Sequence, residues 1–250
     1  MDTLSILAAS GMKARMESLE MLANNIANSS TAGFKADREF YSLYMAPEAL
    51  EGAGSTARLM PPHLPVIERH WTDFSKGLLR ETGNPLHLGF RGEGFFVVGG
   101  PSGPLYTRNG SFRLSEQGVL QTMEGYPVLN TEGKPITLNP DLRIEVTPSG
   151  EIFQDGQRVA RLLMVDVRQP VAVHKRDGVY FSLSSPSPPP PAAPDPQLDQ
   201  GHLESANIAP AEAALRVIGV MRQFEALQKA IQIGGEMNRR AVEEVARIGS

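Results

Sequence analysis

The side chains best suited to proton transfer or metal binding near neutral pH are the five histidines, His63, His70, His87, His174 and His202. No two stand four residues apart, so none can form a helical metal pair, and no His-Glu-x-x-His occurs. There is no cysteine, which excludes thiolate catalysis, disulfides and cysteine-based zinc sites. A Gly-x-Ser-x-Gly nucleophile elbow is also missing. The glycine cluster Gly89-Phe90-Arg91-Gly92-Glu93-Gly94 matches neither phosphate-binding pattern, and it precedes a strand-like run rather than a helix. The carboxylates are scattered, as on a solvated surface. No catalytic, cofactor-binding or metal-ligating residue is therefore nominated, and no cofactor is expected. What does recur in a pattern is amide chemistry: Asn24, Asn25 and Asn28 crowd the end of one helical stretch. Asparagine competes for backbone hydrogen bonds and is a mediocre helix former. Three so close together point to polar contacts with a neighbouring chain or to helix termination.

The element that carries these amides runs from Thr3 to Asn28. Its apolar residues Ala8, Met12, Leu19, Leu22 and Ile26 fall at helical or coiled-coil spacing, and Gly33 offers a stop. A second amphipathic stretch follows Leu203. Pro210 suits its first turn, and Asn207 is a candidate cap. Its predicted seam is Val217, Met221, Phe224, Gln228, Ile231, Gly235, Asn238, Val242 and Val245, with Gly234-Gly235 as a place to bend.

Between the helices the pattern changes to short strands with turns. Residues 36–44 read as a helical or extended continuation, and residues 66–74 as a weakly alternating strand. Phe95-Phe96-Val97-Val98 is a short buried strand. Asn109-Gly110 is a tight-turn signal, and so is Asp177-Gly178. Further short strands are expected at 111–114, 119–122, 126–129, 136–138, 142–146, 151–153, 161–167, 171–173 and 179–183. Strands at this spacing indicate an antiparallel all-β domain. Residues 186–196 contain seven prolines and should be extended and semi-rigid. An SH3-type ligand is the less favoured reading of that stretch.

Composition sets the outer bounds. The 250 residues are 41% hydrophobic, enough for one large domain or two small ones. A net charge of −4 argues against a nucleic-acid partner. No run of 18 apolar residues marks a membrane span, and the first residues lack the pattern of a cleaved signal.

Several motifs together resemble the bacterial flagellar rod and hook family. They are Ala23-Asn24-Asn25-Ile26-Ala27-Asn28 with Thr31-Ala32-Gly33-Phe34-Lys35, Thr82-Gly83-Asn84-Pro85-Leu86, Gly92-Glu93-Gly94-Phe95-Phe96-Val97-Val98, Tyr106-Thr107-Arg108-Asn109-Gly110-Ser111-Phe112 and Gly125-Tyr126-Pro127-Val128-Leu129. Leu203-Glu204-Ser205-Ala206-Asn207 and Met221-Arg222-Gln223-Phe224-Glu225-Ala226 complete the set. His87, Gly89 and Phe90 depart from the family's usual residues, and Ala206 displaces its Ser-Asn-Val. The resemblance implies a structural, non-enzymatic subunit of the flagellar basal-body rod, of the proximal-rod type with the distal-rod type next. Its implied partners are other rod subunits, copies of itself and the flagellar export apparatus. Its implied location is the periplasm-spanning rod, reached without a cleaved signal peptide. The alternative from another class is a secreted β-domain binding module with oligomerising helices.

The expected fold is α+β. A discontinuous, coiled-coil-like helical base (1–35 and 203–250) and a connecting segment (36–80) join an antiparallel all-β central domain (81–185), with a proline-rich return linker (186–202). The expected assembly interface is Met12, Leu19, Leu22, Asn24, Asn25, Ile26, Asn28, Val217, Met221, Phe224 and Ile231.

Overall fold

A computed structural model describes residues 3–45, 63–167, 173–183 and 189–248. The chain is α+β and divides into two units. The first comprises Met1–Ala27, Asp37–Asp73 and Ala209–Ser250, and the second Asn28–Ala36 and Phe74–Ile208.

The first unit holds helix α1 (Thr3–Ala27), strands β1 (Asp37–Met45) and β2 (His63–Thr72), and helix α2 (Pro210–Ile248). β1 and β2 form an antiparallel ribbon whose register shifts between Phe40 and Tyr41. The stretch expected to continue as helix or extended chain is thus extended. The weak strand at 66–74 is real but begins and ends earlier. α1 stops at Ala27, and α2 starts only at Pro210, because residues 198–204 are taken up by strands. α2 runs unbroken through Gly234-Gly235. Of its predicted seam, Val242 and Val245 have side chains outside the described set.

The second unit carries β3 (Leu79–Glu81), β4 (Leu88–Phe90), β5 (Phe95–Gly100), β6 (Gly103–Thr107), β7 (Phe112–Leu114) and β8 (Leu120–Thr122). These are followed by β9 (Ile144–Val146), β10 (Glu151–Gln154), β11 (Gln157–Arg161), β12 (Met164–Val165), β13 (Val173–Arg176), β14 (Tyr180–Leu183), β15 (Leu198–Gln200) and β16 (His202–Glu204). The largest sheet has the order β12-β5-β6-β14-β13, and a second has the order β11-β10-β9. β7 pairs with β8, β15 with β4, and β16 with β3, all antiparallel. The segments around Val128 and Thr137, expected as strands, contribute single bridges only. The strand expected at 161–167 is split between β11 and β12. Residues 171 and 172 lie outside the described set.

β5 explains why the middle of the chain holds together. Alternate residues of a strand face opposite sides of its sheet. Phe96 and Val98 therefore join a core with Phe90, Phe112, Leu120, Val128 and Ile136. Phe95 and Val97 join a second cluster with Tyr106, Val165 and Phe181 on the other side. The unbroken Phe-Phe-Val-Val run is a strand buried on both faces. Ring contacts link the first core, with Phe96 centred 4.4 Å from Phe90 and 5.0 Å from Phe112. They link the second through Phe74, at 5.7 Å from Phe95 and 5.3 Å from Phe181.

Asn109-Gly110 does not close a two-residue hairpin. β6 pairs with β5 and β14, while β7 pairs with β8. Instead Asn109 Oδ1 accepts the Ser111 N–H, an Asx turn. A Cβ on Gly110 would lie 1.7 Å from the Leu88 carbonyl oxygen, so glycine is needed here for close approach. The proline stretch, described from residue 189, lies along β12. Asp166 N–H donates to the Pro191 carbonyl and Ala193 N–H to that of Met164. Pro190 and Pro194 have no N–H to offer an incoming strand, so this edge resists further pairing. Pro190 is buried, which removes it from any PPII-type docking face.

Tyr180, 2% exposed, donates its hydroxyl to Glu124 and packs edge-on against Tyr126 at 5.4 Å. Burial first, and then the Glu124 hydrogen bond, raise its pKa above the ordinary phenol range. Burial raises Tyr106 as well. A phenol whose folded pKa is raised contributes stability below its unfolded value of about 10, and that contribution is lost as pH rises further. Denaturant midpoints measured between about pH 8 and about pH 11 should fall on the alkaline side. Tyr180→Phe should flatten that limb, leaving the part due to Tyr106. An identical alkaline slope in the variant would refute the assignment.

Candidate assembly surface and buried junction

The helix pair is built from small residues on α1. Gly11, Ala14 and Ser18 are buried, and Ser18 Oγ satisfies itself by donating to the Ala14 carbonyl at 3.0 Å. A Cβ on Gly11 would sit 3.4 Å from a Leu227 methyl, so the helices approach closely. Leu22 is also buried, at 6% exposure.

On α2 Ala230 is half-buried beside a seam withdrawn from solvent at Ala213, Val217, Val220, Phe224, Leu227, Ile231 and Gly234. Their spacing alternates four and three. This corrects the predicted seam at every second position: Val220, Leu227 and Gly234 stand where Met221, Gln228 and Gly235 were expected. The two phases share Val217, Phe224 and Ile231, so the period alone does not separate them. Leu227 against Gln228 does, because the observed phase is apolar from Ala213 to Ile231. Asn238 is exposed.

The expected interface residues now fall into groups. Leu22 and Asn25 are buried within their own unit, and Met12, Leu19, Ile26, Val217, Phe224 and Ile231 are partly buried. Asn24 is exposed, and Met221 is 49% exposed. Asn28 belongs to the second unit, where its carbonyl accepts the Thr31 N–H. Further apolar side chains stay in solvent. Met16 on α1 is 50% exposed, and on α2 Leu215, Ile218, Ile233 and Met237 range from 49% to 70%. Met12, Met16, Ala9 and Ile231 line a shallow groove rimmed by Lys13, Glu17 and Glu20.

Asn25 has work inside its own chain. Its Nδ2 donates to the Asp37 carbonyl at 2.8 Å, and its Oδ1 accepts the Asp37 N–H at 3.1 Å. The amide imitates a strand and anchors the start of β1. Asn25→Ala strands a backbone donor and an acceptor, and a loss of about 2 kcal/mol is expected in urea unfolding. A loss below about 0.5 kcal/mol would show that water replaces the amide.

The second unit contains a polar centre that sequence reasoning did not single out. Lys35 and Glu204 are both fully buried, with Lys35 Nζ 2.6 Å from Glu204 Oε1. Lys35 Nζ also donates to the Ser75 carbonyl at 2.7 Å. Glu204 Oε1 accepts the Gly77 N–H at 2.9 Å, and Oε2 takes Arg108 at 3.2 Å. The Arg108 guanidinium lies over the Phe90 and Phe95 rings at 4.9 and 5.2 Å, a contact that gives Phe90 a place in the junction. Burial lowers the Arg108 pKa, and Glu204 opposes that shift.

Around this triad every turn of the Thr-Ala-Gly-Phe-Lys exit is tied down. Gly33 N–H donates to the Glu204 carbonyl at 2.7 Å. Asn207 N–H donates to the Phe34 carbonyl, and Asn207 Oδ1 accepts the Ala36 N–H at 2.7 Å. Asn207, expected to cap α2, instead joins the two chain segments. Lys175 Nζ lies 3.9 Å from the Phe34 ring centre and donates to the Lys35 carbonyl. The available signal was three charged residues inside otherwise apolar or turn-forming motifs.

Among the described residues no cluster of histidine and carboxylate side chains could hold a metal ion. His87 is engaged locally, with Nδ1 2.9 Å from Thr82 Oγ1 and Nε2 3.3 Å from Asn84 Nδ2.

Comparison with known proteins matches three parts of the chain. Residues 7–35 match the flagella basal body rod protein family. Residues 90–154 match the flagellar hook protein FlgE/F/G D1 domain. Residues 199–244 match the flagellar basal body rod FlgEFG protein C-terminal family. The flagellar basal-body rod protein FlgF of Caulobacter vibrioides is 30% identical over 249 residues, covering 99% of this chain and 100% of that one. FlgF of Rhizobium meliloti is 31% identical over 233 residues, covering 90% of each. FlgG of Agrobacterium fabrum is 28% identical, covering 92% of this chain and 95% of that one. With whole-length relatives of this kind, the chain belongs to the flagellar basal-body rod protein family and is a structural subunit of the flagellum rather than an enzyme.

Proposed function

We propose that this subunit builds the rod by polymerising through its terminal helices, which pack as an antiparallel coiled-coil-like base, with the second unit as an all-β body. The division into a helical base (1–35 and 203–250), a connecting segment (36–80), a β-domain (81–185) and a return linker (186–202) belongs to this reading. So do the interface residues Met12, Leu19, Leu22, Asn24, Asn25, Ile26, Asn28, Val217, Met221, Phe224 and Ile231. The observation that carries it is the apolar surface left over once α1 and α2 have packed: Met16, Leu215, Ile218, Met221, Ile233 and Met237. A helix pair exposing so much apolar surface is poorly stabilised alone and gains by burying it against neighbours. The placement is of the proximal-rod type, next to other rod subunits and copies of itself. Delivery is through the flagellar type III export apparatus.

Ile218→Asp/Met221→Asp tests the reading. Both side chains are half exposed, so the free energy of unfolding should move by less than about 0.5 kcal/mol. Incorporation into basal bodies and motility should be lost. A matching change on the β body, Val159→Asp at 46% exposure, should leave both intact. Normal motility in the helix variant would overturn the proposal, and a fixed small oligomer by light scattering would favour the discrete binding module instead.

A further inference from the structure

We propose that the groove on α1 receives the outer face of α2 from a second copy of this chain. The alignment is antiparallel, with Met12 on Met237, Met16 on Ile233 and Glu20 beside Lys229. The inference rests on the assembly reading above and names the partner surface for that groove.

The groove has an apolar floor and an acidic end. Ala9, Met12 and Met16 share one face of α1, with Ile231 beside them and Glu20 at the rim. Glu20 stands one helical step beyond Met16, about 6 Å along the axis. Met16 is left half exposed by the packing of the helix pair. The outer face of α2 repeats this layout in reverse. Lys229, Ile233 and Met237 follow at the same step, on the side away from the seam at Leu227 and Ile231. Ile233 and Met237 are exposed apolar side chains, and Lys229 is exposed as well.

Laid antiparallel, the two patterns coincide. Methionine meets methionine at one end, Ile233 covers Met16, and the Lys229 ammonium reaches the Glu20 carboxylate. The same alignment brings Glu236 level with Lys13. Among the described residues Glu20, Lys229 and Glu236 form no ion pair within their own chain, so these charges can serve a neighbour. Charge also selects the direction. A parallel placement would set Lys229 on the Met12 floor and Met237 beside Glu20, leaving both charges unmatched. The pairing cannot form within one copy. Gly11 lies against Leu227 there, so in the antiparallel base Met16 stands near the level of Arg222. Ile233 is then about 16 Å further along α2. Groove and outer face are different surfaces, so each contact is head-to-tail and leaves one of each for the next copy.

The chain has no cysteine, so disulfide trapping reads the alignment in concentrated full-length protein. Met16→Cys and Ile233→Cys chains are oxidised separately and mixed. Only the mixture should give a cross-linked dimer, and a chain carrying both substitutions should give a ladder of larger species. Met16→Cys mixed with Ile218→Cys, the control for another part of α2, should link several-fold less. Glu20→Lys or Lys229→Glu alone should lower the 16–233 yield about tenfold by setting like charges together. Both reversals in one chain should restore it. No 16–233 linkage, equal or stronger 16–218 linkage, or no restoration by the paired reversal would overturn the proposal. Its failure is distinct from failure of the assembly reading. If Ile218→Asp/Met221→Asp still abolishes incorporation while 16–233 linkage is missing, the helices assemble through a different contact. If that helix variant is normally motile, the assembly reading itself falls.

Discussion

Glu204→Ala is expected to be among the most damaging single substitutions in this protein, with a loss of about 3–5 kcal/mol. One carboxylate serves Lys35, Arg108 and the Gly77 N–H together. Its removal takes the shared carboxylate from two cations with side-chain exposures of 0% and 4%, and the Gly77 donor loses its acceptor. Lys35 keeps its hydrogen bond to the Ser75 carbonyl, a neutral acceptor. Desolvation of the surviving charges sets the size of the effect more than the lost attraction does. Glu204→Gln keeps an acceptor at the same place and should cost clearly less. Urea unfolding of the two variants checks both statements, and a Glu204→Ala loss under about 1 kcal/mol would contradict them.

Gly33→Ala should come next, at about 3 kcal/mol or more, from two causes that add. The residue has φ +68, a left-handed conformation that costs an L side chain about 1 kcal/mol. A Cβ there would also stand 2.3 Å from the Asn109 nitrogen and 2.4 Å from the Arg108 carbonyl carbon, where only backbone can yield. Gly83 separates the causes: it has φ +70 but nothing within 4 Å of its would-be Cβ. Gly83→Ala should therefore show the conformational cost alone. Equal losses in the two variants would mean that close approach at Gly33 contributes nothing.

Gly33 also shows how far local reasoning reaches. Its position after an amphipathic helix marks it as a stop residue, and α1 does end nearby, at Ala27. The five residues between Ala27 and Gly33 form a turn. The glycine is required by Arg108 and Asn109, which are remote in sequence. Asn207 is a similar case. Its place just before Pro210 suits a cap, yet its side chain bonds Ala36 and Ser75. Asn25 is drawn to the backbone of Asp37. In each, the residue type predicted a hydrogen-bonding task, and the partner came from another part of the chain.

What the sequence determined by itself is whatever depends on local period and residue chemistry. That includes two terminal helices, the doubly buried Phe-Phe-Val-Val strand, the extended proline stretch and the motifs that carry the family. The α2 seam lies at the boundary of that class, because two phases of one repeat share three positions and differ only in neighbours such as Leu227 and Gln228. Tertiary structure alone decided the buried junction. Lys35 and Glu204 are separated by 169 positions, and no period connects them. Read singly, a lysine and a glutamate belong in water. They are buried here because folding brings each the other's charge, along with Arg108, the Gly77 N–H and the Ser75 carbonyl. That mutual compensation exists only in three dimensions, where it ties the segment leaving α1 to the segment entering α2.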